Sequence, residues 1–274
     1  MFHIDINPVA FSIGMIEVRW YGVMVVLAII SIIAISIIEA RRQGVREDYI
    51  YGVAVWAIIG GVLGSRIIHV IDKWDYYIQN PMQIFNFEGL GVYGAVIGIV
   101  VAIVVYSLVK KLSIWQLGDI ISPGALVGMA IGRVGCLING CCYGIPAAPP
   151  WAVIYSHAAC YAPQGVPLHF TQLYHIIWNL AGFGVLWALR GRLKPQGSLM
   201  LLYLAIYAAG DLIIRFVREG DVFLFGMQQA QLVGIIILVI TVPWFIFRIW
   251  RYRNKVLVSE ASGDVNEEDQ NQEG

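Results

Sequence analysis

Charge is scarce in this chain. Of 274 residues only 13% are Asp, Glu, Lys or Arg, and 18 basic residues are cancelled by 18 acidic ones. With no basic excess to grip a polyanion, a nucleic-acid partner is excluded. Cysteine is limited to positions 136, 141, 142 and 160, too clustered for a disulfide scaffold. Met1 to Glu17 lacks a basic start and does not read as a cleaved signal peptide. Apolar residues are what abound: 59% of the chain, with a mean hydropathy of +0.72. A soluble domain of this length is not so apolar, and the composition is that of an all-α polytopic membrane protein.

Windows of about 20 apolar residues predict seven transmembrane helices. They fall near 21–39, 51–71, 91–109, 117–138, 173–189, 197–217 and 228–248. Arg66 and Arg133 weaken the second and fourth. Basic residues gather on alternate connections: Arg41, Arg42 and Arg46; Lys110 and Lys111; Arg190, Arg192 and Lys194; Arg248, Arg251, Arg253 and Lys255. Residues 140–171 contain no Lys or Arg. The positive-inside rule then puts the N-terminus outside and the C-terminus in the cytoplasm. Residues 1–253 form the transmembrane domain on this reading, and proline-rich 140–171 forms a structured loop on its outer face. Residues 254–274, with Glu267, Glu268, Asp269 and Glu273, read as a disordered acidic cytoplasmic tail.

Polar residues inside such spans carry the functional signal. A guanidinium at membrane depth costs roughly 2.5–3.5 kcal/mol and persists where it meets an anion or a polar cavity. Arg133 lies in the run from Gly132 to Gly144, where Gly132, Gly135, Gly140 and Gly144 give the backbone freedom to turn N–H groups toward an anion. No carboxylate lies within a helical turn of it, so a lipid phosphate is the first ligand to consider. Gly124, Gly128 and Gly132 in span 4, Gly60, Gly61, Gly64 and Ser65 in span 2, and Gly91, Gly94 and Gly98 in span 3 predict a close-packed cluster of these three spans. Arg66 and His69 share a helix face near an interface. Asp211 and Arg215, at i, i+4, form an intrahelical pair, with Arg218 beyond. The cysteines match neither a CxxC nor a zinc-finger spacing, so no metal site is expected; a disulfide from Cys160 to Cys141 or Cys142 is open if the outer side is oxidising.

These residues, in this order, resemble the bacterial prolipoprotein diacylglyceryl transferase family. The run Gly132-Arg133-Val134-Gly135 through Asn139 to Gly144 is similar to its signature. Trp20-Tyr21-Gly22, Gly64-Ser65-Arg66 with Tyr76-Tyr77, Glu88-Gly89 to Tyr93-Gly94, Phe170-Thr171-Gln172-Leu173-Tyr174, and Phe216 to Asp221 resemble its other motifs. The chain departs from the pattern at Tyr93, where a histidine is common, at Cys136 for an asparagine, and at Cys141 and His175 for acidic residues. Asp211 and Arg215 exchange the signs of the family's pair.

The resemblance implies a seven-helix enzyme of the bacterial inner membrane, embedded in the lipid bilayer. It implies transfer of the diacylglyceryl group of phosphatidylglycerol to the lipobox cysteine of a prolipoprotein signal peptide, with no metal or organic cofactor. Arg133 is then the phosphate ligand, with Arg215, Arg218 or Arg66 as a second contact. Tyr21, Tyr93 and Asn139 orient the headgroup, His175 is a candidate base, and Gly132, Gly135 and Gly144 are structural. Two other functions stay open: a lipid or solute transporter, which would need an inverted repeat that the chain does not display, and a membrane thiol-redox enzyme using Cys141 and Cys142.

Overall fold

The computed structural model describes residues 1–14, 16–80, 82–83 and 91–272, and of 16, 92 and 258–272 the backbone alone. A helix stands at each of the seven predicted spans. In chain order, with strands β1 (Phe2–Ile4), β2 (Val9–Ile13) and β3 (Ile16–Arg19) first, they are α1 (Trp20–Arg42), α2 (Glu47–Asp72), the short α3 (Trp74–Gln79), α4 (Val92–Val109) and α5 (Ile114–Asn139). Strands β4 (Ala152–Tyr155) and β5 (Leu168–His169) precede α6 (Thr171–Leu189) and α7 (Ser198–Ile214). Strands β6 (Val222–Leu224) and β7 (Met227–Gln228) lead into α8 (Gln229–Gln272). Among the described residues, four helices are long and apolar enough to cross a membrane: α1, α2, α5 and the Gln229–Leu257 part of α8. Only 11% of the most apolar window of α1, and of α8, is buried within the protein. Faces that apolar and that open are suited to lipid.

One expectation needs correction. The chain is mostly helical but not all-α: β1 runs parallel to β4, β5 pairs with β4 antiparallel, and β2–β3 and β6–β7 are hairpins. These strands have two to five residues, too short to leave an alternation that a helix-length window detects. The proline-rich 140–171 stretch also has its own core, in which Val153, Tyr155, Ala162, Leu168 and Phe170 pack with Ile4, Leu137 and Tyr143. At the other end, the helical backbone of α8 is described as far as Gln272.

The chain divides into two compact units. Residues 33–120 form one. Here Arg41 closes bidentately on Glu47, at 2.6 and 3.0 Å, and Glu39, fully buried, receives Arg42 and Gln43. Helices α2 and α4 meet through glycine: a Cβ on Gly60 would lie 2.5 Å from the Gly98 carbonyl, and Gly64 faces Gly94 as closely. That is the backbone-to-backbone approach that small residues allow.

Residues 1–32 and 121–274 form the other unit. Leu126, Leu186 and Leu199 are its buried centre, with Phe183, Tyr203 and Ile206 around them. The Trp178 indole bonds the Ile206 carbonyl at 2.8 Å and fits where Gly210 has no side chain. The predicted glycine cluster of spans 2, 3 and 4 thus resolves differently. Gly60, Gly64, Gly94 and Gly98 join α2 to α4, whereas Gly128 of α5 meets Ala28 and Ile32 of α1.

Candidate functional site

The site begins where α5 stops. Gly140 adopts φ 69°, a left-handed conformation that costs glycine nothing, and ends the helix. The Cys141 N–H bonds the Cys136 carbonyl at 3.1 Å, and the Gly140 N–H bonds the Leu137 carbonyl at 3.3 Å. This pair of bonds is a Schellman cap, which brings the side chains on its two flanks into contact. Those side chains are Cys136 and Cys141. Cys142 follows with φ 63°, a conformation a side-chain-bearing residue adopts only when its surroundings hold it. The first residues of α6 do so. Thr171 donates to the Cys142 carbonyl at 2.7 Å and Gln172 to the Cys141 carbonyl at 2.8 Å, and both residues are fully buried. Gln172 also donates to the Tyr155 hydroxyl, whose pKa burial raises. The sulfurs of Cys136, Cys141 and Cys142 consequently lie within 4.8 Å of one another. All four cysteines are unbridged, and the trio replaces the pairing of Cys160 with Cys141 or Cys142 left open above.

Arginines surround this turn. Arg133 is three residues before Cys136 on α5, hence on the same helix face. Among the described residues its guanidinium has no hydrogen bond and no ion pair. Arg218 arrives from the far side of the chain: Ile145 N–H bonds the Val217 carbonyl at 3.0 Å, and Glu219 N–H bonds the Tyr143 carbonyl at 3.2 Å. Gly144 makes that crossing possible, since a Cβ there would collide with His169 and the Val217 carbonyl. Arg218 Nε is buried without a partner, and its carbonyl accepts from Gln228 at 2.9 Å. Burial, then the fields of Arg133 and Arg215, lower the Arg218 pKa from its ordinary value, while Cys142 opposes the fall. The neighbouring Cys136 and Cys141 thiols hold the Cys142 thiol below its ordinary value, and Arg218 and Arg133 add to that. Two guanidiniums close enough to repel are a place for an anion.

Other predicted residues take distinct places. Arg215 is engaged: its Nε bonds Asp211 at 2.7 Å and its Nη1 bonds Gln228 at 3.1 Å. His175 is buried, with Nε2 3.8 Å from Asp211 Oδ1, and neither atom has a hydrogen bond. Tyr21 packs on Gly135, within electrostatic reach of Arg133 and the three clustered cysteines. Asn139 is buried and accepts from Arg19 at 3.1 Å. Arg19 itself stacks over the Tyr161 ring at 5.0 Å. Gly132 bears no close neighbour: a Cβ there would meet nothing within 4 Å.

Arg66 and Tyr93 belong to the other unit. Arg66 is buried, bonded to the Gln83 carbonyl at 2.5 Å and set over the Tyr77 ring at 5.1 Å, whereas Tyr93 is exposed near the start of α4. Glu88 and Gly89, part of the motif leading to Tyr93, lie outside the described residues. Arg19, Thr171 and Gln172 were not predicted as site residues. The sequence signal for Arg19 was one cation at the mouth of the first span. That for Thr171 and Gln172 was their motif, whose role as a clamp on a distant turn no spacing reveals.

A sequence model of the prolipoprotein diacylglyceryl transferase family matches residues 8–247. A phosphatidylglycerol–prolipoprotein diacylglyceryl transferase of Dehalococcoides mccartyi is 43% identical over 249 residues, covering 90% of this chain and 96% of that protein. Proteins of the same name from Lysinibacillus sphaericus and Clostridioides difficile are 33% and 34% identical, covering 89% and 84% of this chain and 93% and 90% of their own lengths. On these matches and the site just described, this chain belongs to the prolipoprotein diacylglyceryl transferase family.

Proposed function

We propose that this protein transfers the diacylglyceryl group of phosphatidylglycerol to the lipobox cysteine of prolipoproteins, the first step of bacterial lipoprotein maturation. It does so as a seven-span protein of the bacterial inner membrane, N-terminus outside and C-terminus in the cytoplasm. The observation that carries the reading is the pair Arg133 and Arg218 beside the 140–144 turn, with no carboxylate bonded to either among the described residues. The alternation of basic connections supports the orientation, which sets this turn at the outer leaflet.

The chemistry follows from what the reactants need. A cysteine thiol has a pKa near 8.5, so about a few per cent is thiolate at neutral pH. The sulfur attacks the glyceryl carbon, the carbon–oxygen bond to phosphate breaks, and glycerol phosphate leaves as a thioether forms. Developing charge on the leaving phosphate is the main cost, and fixed guanidiniums in a water-poor site reduce it. Arg133 takes two phosphate oxygens with its fork, and Arg218 supplies the second cation. Arg215, bonded to Asp211 and Gln228, positions its neighbours. Tyr21 and Asn139 orient the headgroup, and His175 beside Asp211 is the candidate base. Arg133→Ala is expected to abolish complementation of a strain depleted of its own transferase. Full rescue by that variant would overturn the phosphate role.

A further inference from the structure

We propose that Cys136, Cys141 and Cys142 form a site for one thiophilic divalent cation of the zinc class, bound by three thiolates. The proposal stands apart from the transferase reading.

The first support is geometric. The three sulfurs lie within 4.8 Å of one another. Thiolates about 2.3 Å from a tetrahedral ion sit about 3.8 Å apart, so the trio needs only a small contraction. The second is that the backbone is already committed to this shape. The Schellman cap sets Cys141 against Cys136, and the left-handed Cys142 is clamped through its carbonyl by Thr171 and that of Cys141 by Gln172. Holding a non-glycine residue there is unfavourable, and such strain concentrates at ligand clamps. A cap of this kind is usually closed by two apolar side chains. Three thiols in that position are chemically more than packing requires.

The third is charge. Binding turns three neutral thiols and a dication into a group of single negative charge and releases three protons. Arg133, on the helix face of Cys136, and Arg218, bridged to Gly144 beside the turn, offset that charge. With the ion bound, the corner keeps a net positive charge and can still hold an anion. Cys136 is buried whereas Cys141 and Cys142 are partly open, which leaves an entry path and a fourth coordination position. The spacing escapes familiar zinc patterns because one ligand comes from the last turn of a helix and two from the reversal after it.

The test uses the full chain, purified in detergent and reduced, titrated with cadmium ion and followed by the sulfur-to-metal absorption in the ultraviolet. The expected result is saturation at one cadmium per chain, an intensity of three thiolates per ion, and displacement by zinc. Cys160→Ser should leave the titration unchanged. Cys141→Ser and Cys142→Ser should each weaken binding by more than the roughly 10–100-fold that follows loss of an outer-sphere partner. The wild-type intensity is informative even where a variant fails to fold. Absence of a saturable band in the reduced wild type overturns the site. So does an intensity of one thiolate, or a band undiminished in a folded Cys141→Ser, Cys142→Ser double variant.

Discussion

Three arginines crowd one corner, and their partners separate their roles. Arg215 is bonded to the carboxylate of Asp211, which is buried. Removing it strands a buried charge, so Arg215→Ala is expected to cost about 3 kcal/mol, read as a lowered midpoint of thermal unfolding in detergent. Arg218 has an unpartnered buried Nε, and relieving its repulsion with Arg133 costs the fold little. Arg218→Ala should keep the melting temperature while slowing transfer by at least about 100-fold, the usual effect of losing one donor to a developing anion. The opposite pattern, a fast but unstable Arg218→Ala, would exchange the two assignments. The sequence pairs Arg215 with Asp211, yet it leaves Arg215 and Arg218 both as candidates for the second phosphate contact. What distinguishes them is the end of α7 at Ile214, which leaves Arg215 within reach of Asp211 and sends Arg218 across to residues 143–145.

Two glycines of the same motif act at different levels of structure. Gly144 lets the chain after α5 cross the segment after α7, and a methyl group there would press on His169 and the Val217 carbonyl. Gly144→Ala is expected to destabilise the protein by about 1–3 kcal/mol, measurable as a fall in melting temperature, and to displace Arg218 with it. Gly132, one residue before Arg133, meets nothing. Gly132→Ala should therefore fold as the parent does. A raised KM for lipid in that variant would mean that substrate uses the space; parental kinetics would remove Gly132 from the site. The sequence marks both as structural glycines of one run. Helices were legible because apolar windows of helix length are long signals, and every predicted span has a helix. The strands were not, since Phe2–Ile4 and Ala152–Tyr155 pair across about 150 residues and neither is long enough to declare itself. The cysteine trio was hidden for a related reason: its members meet through a cap whose geometry, not its spacing, decides the contact.

At the scale of the whole molecule the account rests on an orientation and a reaction. The basic connections predict that residues near 111 and 191 face the cytoplasm, and that the 140–171 segment does not. A membrane-impermeant thiol reagent on intact cells should label Ala158→Cys and spare Lys111→Cys and Gly191→Cys, in a Cys160→Ser background. Labelling of the latter two alone would invert the protein. The reaction is tested most directly by mixing the purified protein with phosphatidylglycerol and a lipobox peptide and weighing the peptide. The account predicts a gain of one diacylglyceryl group on the peptide cysteine with the wild type and none with a folded Arg133→Ala variant. An unmodified peptide from folded wild type, or equal modification by both proteins, would contradict it.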